Sequence, residues 1–331
     1  MTLRAEQPLN KDSGEMSRRS LLGGTVLGVI GGLLRGDAAE GRDTDLVVRC
    51  RFGAYAANEP YPLAPHFALE SRLGGTKLPV ASWFQAWGNN WLAADATELD
   101  SRGDYDILVG WELHGIYFDS ILDGEHDDYI RSYVEAAAQY PNLVVLRPFH
   151  ESNGYWYDWA PASDRGFVRD ETQWKDAWRH IVRIARTVPN SERVKFYWCM
   201  NGGDEGNTTM ESLWPGAEWV DIIGVDAYAW NGPAGGSFDH IHSDAYRRIT
   251  KLHPTAEYWV GETGLNSQQG SADWYRRAYH SQQFPRMTTV CWFHTNEFVL
   301  DGDRDALVHA AVTLPTTKKE RESNDQYSRN R

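Results

Sequence analysis

The sequence predicts a single (β/α)8 barrel of the TIM type, and three observations predict it. Eight short apolar runs recur at a fairly even pitch along the chain. Several are followed by stretches whose apolar residues have helical spacing. Polar and aromatic residues collect at the trailing ends of the runs rather than scattering. Strand and helix signals in alternation argue for a parallel sheet with helices outside it. Eight such units close into a barrel whose strand ends all face one mouth. A doubly wound open sheet is the alternative architecture.

Taken in order, the chain opens on a segment that reads as targeting rather than fold. Ser17-Arg18-Arg19-Ser20-Leu21-Leu22 is a twin-arginine pattern, followed by a Gly-rich apolar stretch from Leu21 to Leu34. That stretch is shorter than the roughly 20 residues a spanning helix needs, and its glycines make it a poor ordinary helix. Residues 1–39 are therefore expected to be a twin-arginine signal peptide, with small residues for cleavage at Ala38-Ala39. The expected product is a secreted or periplasmic protein with no membrane span in the mature chain.

The barrel is expected over residues 45–314. Its strands are placed at Leu46–Tyr55, Lys77–Trp87, Asp104–Leu113, Leu143–Glu151, Val194–Asn201, Val220–Tyr228, Glu257–Gly264 and Thr288–His294. Tyr129-Ile130-Tyr133-Val134-Ala137 and Trp174-Trp178-Ile181-Val182-Ala185 have helical spacing, the second with Asp170 and Glu171 at its front. Ser271–Phe284 and Asp303–Leu314 read as helices too, and Ser237–Leu252 more loosely. The helix after the fifth strand is poorly marked, with a Gly-rich stretch leading to a short Thr208–Leu213. Residues 315–331 are polar, charged and aperiodic, the composition of a disordered tail.

Composition narrows the function. The 331 residues carry a formal charge of −13, which repels nucleic-acid phosphates and tolerates a neutral polymer. There are 15 Trp, and aromatics reach 13%, more than a core alone requires and in keeping with a long aromatic-lined cleft. Cys50, Cys199 and Cys291 are odd in number and fall in apolar runs, so they read as small core residues without a disulfide framework. No metal-ligand spacing, Gly-rich phosphate loop or serine-nucleophile motif is present, and no cofactor is implied. A monomer is expected.

The chemistry centres on Leu143–Trp159. A buried apolar run, Leu143 to Leu146, breaks into Arg147, Pro148, His150 and Glu151, then a turn at Gly154 and the aromatics Tyr155, Trp156, Tyr157 and Trp159. The other trailing ends supply Gln85 and Trp87, Glu112 and His114, Trp198 and Asn201, Asp226 and Tyr228, Glu262, Trp292 and His294. Glu262 lies between Gly261 and Thr263-Gly264, at the end of the seventh run. Two glutamates facing each other across a barrel mouth suit retaining glycoside hydrolysis, with one neutral acid and one ionised nucleophile about 5–5.5 Å apart.

These pieces resemble glycoside hydrolase family 26, within the barrels whose acid/base and nucleophile follow strands four and seven. The resemblance is carried by Leu146-Arg147-Pro148-Phe149-His150-Glu151-Ser152-Asn153-Gly154-Tyr155-Trp156-Tyr157-Asp158-Trp159. It continues in Trp214-Pro215-Gly216, Val220-Asp221-Ile222-Ile223-Gly224-Val225-Asp226-Ala227-Tyr228, Gly261-Glu262-Thr263-Gly264 and Trp292, with Gly124-Glu125-His126-Asp127-Asp128-Tyr129-Ile130 as the lead-in to a helix. It implies a retaining endo-acting hydrolase of β-linked polysaccharide, most often β-1,4-mannan, with mixed-linkage glucan and β-1,3-xylan as the alternatives. Glu151 would be acid/base and Glu262 nucleophile, with His150, Trp156, Tyr228 and Trp292 lining the subsite beside the scissile bond. Ser152 stands where the family usually has Met, a change expected beside the substrate.

Position alone adds further roles. Arg147 is expected to point into the barrel and pair a carboxylate, helping to keep Glu262 ionised, with Asp226 in support. Tyr228 is expected within hydrogen-bond reach of Glu262, and a desolvated setting against Trp156 is expected to hold the proton on Glu151. His114 and Trp198 are candidate substrate contacts; Trp87, Trp91, Trp159 and Trp230 are candidates for outer subsites. Three rival readings share parts of this pattern. One is a metal-dependent hydrolase using His240-Ile241-His242, one is a polysaccharide-binding barrel without turnover, and one is a transglycosylase.

Overall fold

The computed structural model describes residues 50–56, 63–266, 271–279, 281–298 and 300. Eight parallel strands close into a barrel in sequence order: β1 (Arg51–Ala56), β2 (Val80–Ala86), β3 (Asp106–Glu112), β4 (Val144–Pro148), β5 (Val194–Asn201), β6 (Ile222–Ala229), β7 (Glu257–Leu265) and β8 (Met287–His294). The helices are α1 (Leu63–Arg72), α2 (Ala93–Ser101), α3 (Phe118–Leu122), α4 (Asp127–Ala137), α5 (Glu171–Ala185), α6 (Phe238–Leu252) and α7 (Ser271–Tyr279). The open-sheet alternative is thereby set aside. The expected signal peptide, the expected helix at Asp303–Leu314 and the tail lie outside the described residues.

Helix α5 shows how local sequence sets an element. The Asp170 carboxylate accepts the Gln173 N–H at 2.8 Å, satisfying one of the first-turn donors that a helix leaves unpaired. Behind that cap, Trp174, Ala177, Trp178, Ile181 and Ala185 form a buried stripe. Trp174 and Trp178 stack at 5.6 Å and meet Phe149, the residue just past β4. Helix α6 begins likewise, with the Ser237 hydroxyl accepting from His240 N.

Three expectations change. Between β5 and β6 the described residues form only two 3-10 turns, Met210–Leu213 and Ala217–Trp219, so this crossover carries no α-helix. Helices α1 and α2 have no counterpart in the sequence reading, because α2 buries only Ala96 and Leu99 and α1 carries a proline inside its first turns. The fourth strand stops at Pro148, and His150 and Glu151 follow it in a turn.

The barrel has two cores. The lumen is filled by Val80, Leu108, Val145, Tyr197, Cys199, Ile222, Trp259 and Cys291, so it is a packed interior and not a pore. The larger core lies between the strands and the helices. Strand alternation assigns each residue to one or the other. Glycine fits where lumen contacts are too close for a side chain: a Cβ on Gly224 would sit 1.7 Å from the Trp259 carbonyl oxygen.

Candidate active site

At the mouth end of the lumen, Arg147 is the organising cation. It is wholly buried on β4 and reaches across to two carboxylates. Its Nη1 donates to Asp226 Oδ2 at 2.6 Å, and its Nη2 donates to Glu262 Oε1. The Tyr228 hydroxyl donates to the other Glu262 oxygen, Oε2. Both donors stabilise negative charge on Glu262 through charge-assisted bonds. Burial raises the Asp226 carboxyl above its ordinary range, against the pull of Arg147. The Cys199 thiol donates to Asp226 Oδ1 at 3.1 Å, and burial together with that carboxylate keeps the thiol strongly protonated.

Glu262 faces the mouth because β7 bulges. Val225 pairs with Val260 but Asp226 pairs with Glu262, so one extra residue, Gly261, is inserted. Gly261 and Glu262 then both turn toward the axis. A Cβ on Gly261 would lie 2.6 Å from Asp226 Oδ1 and 2.8 Å from Arg147 Nη1, so the glycine leaves room for the ion pair beneath the glutamate.

Glu151 is held differently. It follows β4 with φ 55°, a left-handed conformation unusual for a residue other than glycine and common where strain serves a site. Its backbone N–H donates to Cys199 O at 3.0 Å. Glu151 is 4% exposed, and among the described residues its carboxyl accepts one bond, from Trp156 Nε1 to Oε2 at 2.9 Å. Burial, then the charges of Asp226 and Glu262, push its pKa well above the usual carboxylate value, outweighing the Trp156 bond and Arg147. Gly154 lets the indole fold back: a Cβ there would lie 2.5–2.7 Å from three carbons of the Trp156 ring.

Around this pair, His150 is buried against Phe84, Tyr157 and Trp159. Burial and then Arg147 lower its pKa well below the usual imidazole value, so it is neutral. Neither ring nitrogen has a hydrogen-bond partner among the described residues. His114 is half-exposed, 3.8 Å from Glu112 and 3.6 Å from Asp158, and the carboxylates raise its pKa, Glu112 most. Trp87 is half-buried, donates to His126 Nδ1 at 3.1 Å and packs on Trp111 and Tyr129. Trp230 is exposed beside Tyr228 and Phe298.

Several candidates lie elsewhere. Trp198 is fully buried on the outer face of β5, donates to Leu213 O at 3.2 Å and packs on Trp214, because its neighbour Cys199 takes the lumen side. Trp292 is 1% exposed and packs against Phe52 and Tyr275 in the helix layer. Phe293, one residue on, faces inward among Tyr55, Phe84, Tyr228 and Phe298. Trp159 is fully buried behind Tyr157, stacked on it at 4.3 Å, and donates to His150 O. Trp91 is buried on Trp83 and Tyr133. Ser152 turns away from the mouth, accepting from Trp174 Nε1 at 2.8 Å and donating to Phe149 O. His240 and His242 are two apart on α6, one exposed and one buried, so they do not converge on one ion. Sequence reasoning missed Tyr55, Phe84 and Phe293; strict alternation counted inward from Cys291 finds Phe293.

Comparison with known proteins agrees with this geometry. Residues 127–281 match the model of glycosyl hydrolase family 26. The chain is 29% identical over 295 residues to endoglucanase H of Acetivibrio thermocellus, covering 85% of this chain and 31% of that protein. It is 24% identical over 176 residues to a mannan endo-1,4-beta-mannosidase of Bacillus subtilis, covering 52% and 44%. It thus spans less than half the length of these curated relatives. Among solved structures, the Bacillus subtilis mannanase BCman superposes with a TM-score of 0.61 at 17% identity, covering 79% of this chain and 85% of that one. A β-mannanase of Bacteroides ovatus superposes at 0.59 and 15% identity, covering 81% and 89%. The chain is thus similar to glycosyl hydrolase family 26 over residues 127–281 and shares its barrel fold with solved mannanases.

Proposed function

We propose that this barrel is a retaining endo-β-glycanase that cuts β-1,4-mannan-type polysaccharide, acting as a monomer. The observation that carries the reading is the unlike setting of the two glutamates. Glu151 is desolvated and keeps its proton; Glu262 is held by a guanidinium on one oxygen and a phenol on the other.

In the first step Glu151 gives its proton to the leaving glycosidic oxygen as the Glu262 carboxylate attacks the anomeric carbon, forming a glycosyl ester and releasing the leaving sugar. Glu151 is then ionised, and the Trp156 N–H stabilises it in that state. In the second step Glu151 takes a proton from water, the water oxygen bonds to the anomeric carbon, and Glu262 departs as carboxylate. Tyr228 follows the charge on Glu262 through the cycle. Neutral His150, 1% exposed, backs the wall formed by Phe84 and Tyr157. Tyr157, Trp156 and Phe293 supply walls.

The names of the relatives support mannan, since several are mannan endo-1,4-beta-mannosidases. A second reading, β-glucan, is supported by endoglucanase H, whose match covers 85% of this chain. The test is reducing-sugar release from galactomannan, mixed-linkage β-glucan, β-1,3-xylan and cellulose, with Glu151→Ala and Glu262→Ala beside the wild type. Mannan cleavage lost in both variants supports the reading. Cleavage of glucan alone selects the second reading. Binding of a polymer without cleavage would make the chain a polysaccharide-binding barrel. Export by the twin-arginine route is supported by Arg18-Arg19 ahead of the Gly-rich apolar stretch. Replacing both arginines by lysine should leave the precursor inside the cell, and unchanged export would exclude that route.

A further inference from the structure

The ladder between β4 and β5 ends early. Val144, Val145 and Leu146 pair with Val194, Lys195 and Phe196, while Tyr197 to Asn201 pair only onward, with β6. The turn that carries Glu151 is therefore not held to β5 by regular sheet bonds. Beyond the Glu151 N–H bond to Cys199 O, the connection runs through Asn153. Asn153 is fully buried; its Oδ1 accepts the Asn201 N–H at 2.7 Å. Its Nδ2 faces Asn201 O at 3.0 Å, Gly203 O at 3.1 Å and Asp204 Oδ1 at 3.1 Å, so its two hydrogens serve three acceptors. Its own carbonyl accepts from Glu205 N at 2.9 Å.

Asp204 is in turn fixed from behind. Its Oδ1 also accepts from Met210 N at 2.9 Å, and its Oδ2 accepts from Arg248 Nη2 at 2.6 Å. Arg248 projects from α6 and is anchored by Glu211, to whose Oε1 its Nε donates at 2.7 Å, with Asp244 3.6 Å away. A continuous line of charge-assisted and amide bonds thus joins α6, the loop after β5 and the turn bearing Glu151. Its members on the far side, Asp204 and Arg248, sit away from Arg147 and the two glutamates in the bond network.

We propose that Asp204 and Arg248 are positioning residues for the general acid: they hold Asn153, and through it the left-handed Glu151 turn, in place of the missing β4–β5 ladder. This rests on the assignment of Glu151 as acid. A misplacement of about 1 Å at a reacting group can cost about 10²-fold. It costs least where the leaving group departs without a proton.

The experiment compares kcat/KM, which reports the first chemical step, on mannopentaose and on dinitrophenyl β-mannobioside, whose phenolate leaves unassisted. The expected result for Arg248→Met is a fall of about ten- to hundredfold on mannopentaose and little change on the aryl glycoside. Arg248→Lys, which keeps a charged donor for Asp204, should restore most of the loss. If Arg248→Met melts below the assay temperature, Asp204→Asn, which puts an NH2 donor where either Asn153 or Arg248 needs an acceptor, carries the same test. Equal losses on both substrates, or no loss on either, overturn the proposal. Glu151→Ala separates this from failure of the acid assignment. If Glu151→Ala does not split the two substrates, Glu151 is not the acid and the proposal falls with it. If it does split them and the Arg248 and Asp204 variants do not, the positioning role alone is wrong.

Discussion

Replacing Trp156 by Phe removes one N–H and keeps an aromatic ring over Gly154. That N–H donates to Glu151 Oε2 at 2.9 Å and is the bond the carboxyl accepts at the mouth. A donor favours the ionised form, so its loss raises the Glu151 pKa further; burial, the larger cause, is unchanged. Glu151 is 4% exposed, so water does not readily replace the donor. A hydrogen bond to a charged group is worth about 1.5–3 kcal/mol, and about 1.4 kcal/mol corresponds to one pH unit. The alkaline limb of the kcat/KM profile, which reports loss of the proton from the acid, should therefore move up by about one to two pH units. The assay is initial rate on a soluble oligosaccharide across the alkaline range, with protein integrity checked by circular dichroism at each pH. A limb that stays put would mean that the indole does not stabilise the Glu151 carboxylate. A limb that moves down would refute the sign of the argument.

Three other outcomes follow from the same geometry. Glu151→Gln should abolish polysaccharide hydrolysis yet raise Tm near neutral pH. Burial lifts the folded Glu151 pKa above its unfolded value of about 4.3, so wild-type stability falls as pH rises above that point and the Gln variant escapes the loss. The Tm gain should vanish at the acid end, and a gain independent of pH would contradict the linkage. Arg147→Met leaves Asp226 and Glu262 buried without their cation and should cost about 3–5 kcal/mol in urea unfolding, with activity lost. A stable, active variant would deny Arg147 its organising role. Phe293→Ala should raise KM with little change in Tm, whereas Trp292→Ala should lower Tm, through a cavity cost of about 3–5 kcal/mol in unfolding free energy, and leave the KM of the folded fraction unchanged. The reverse pattern would put Trp292, not Phe293, at the mouth.

Much of this was legible in the sequence, because strand ends in a barrel converge whatever lies between them. Apolar runs located all eight strands, and the motif at the end of β4 and just past it named Arg147, Glu151 and Trp156, whose bonds the structure shows. The weak signal after β5 was also informative: that crossover is built of 3-10 turns. Other features needed coordinates. Periodicity does not mark a bulge, so the insertion at Gly261 that turns Glu262 to the mouth is visible only in the register. A tryptophan at a strand end looks the same whether it faces lumen or helix; Trp198 and Trp292 face the helix layer, as their pairing partners determine. Ser152 reads in the sequence as a change beside the substrate, but the left-handed turn at Glu151 sends its hydroxyl to Trp174. The link from Asn153 through Asp204 to Arg248 joins residues 95 positions apart and has no local signature.

The central claim is that Glu262 attacks the sugar directly while Glu151 serves first as acid and then as base. The anomeric configuration of the first-formed product tests it most directly, followed by proton NMR during hydrolysis of a β-linked oligosaccharide before mutarotation. The account predicts that the β-anomer appears first, the net retention of two displacements. An α-anomer formed first would mean a single displacement by water, and would contradict the assignment of Glu262 as nucleophile.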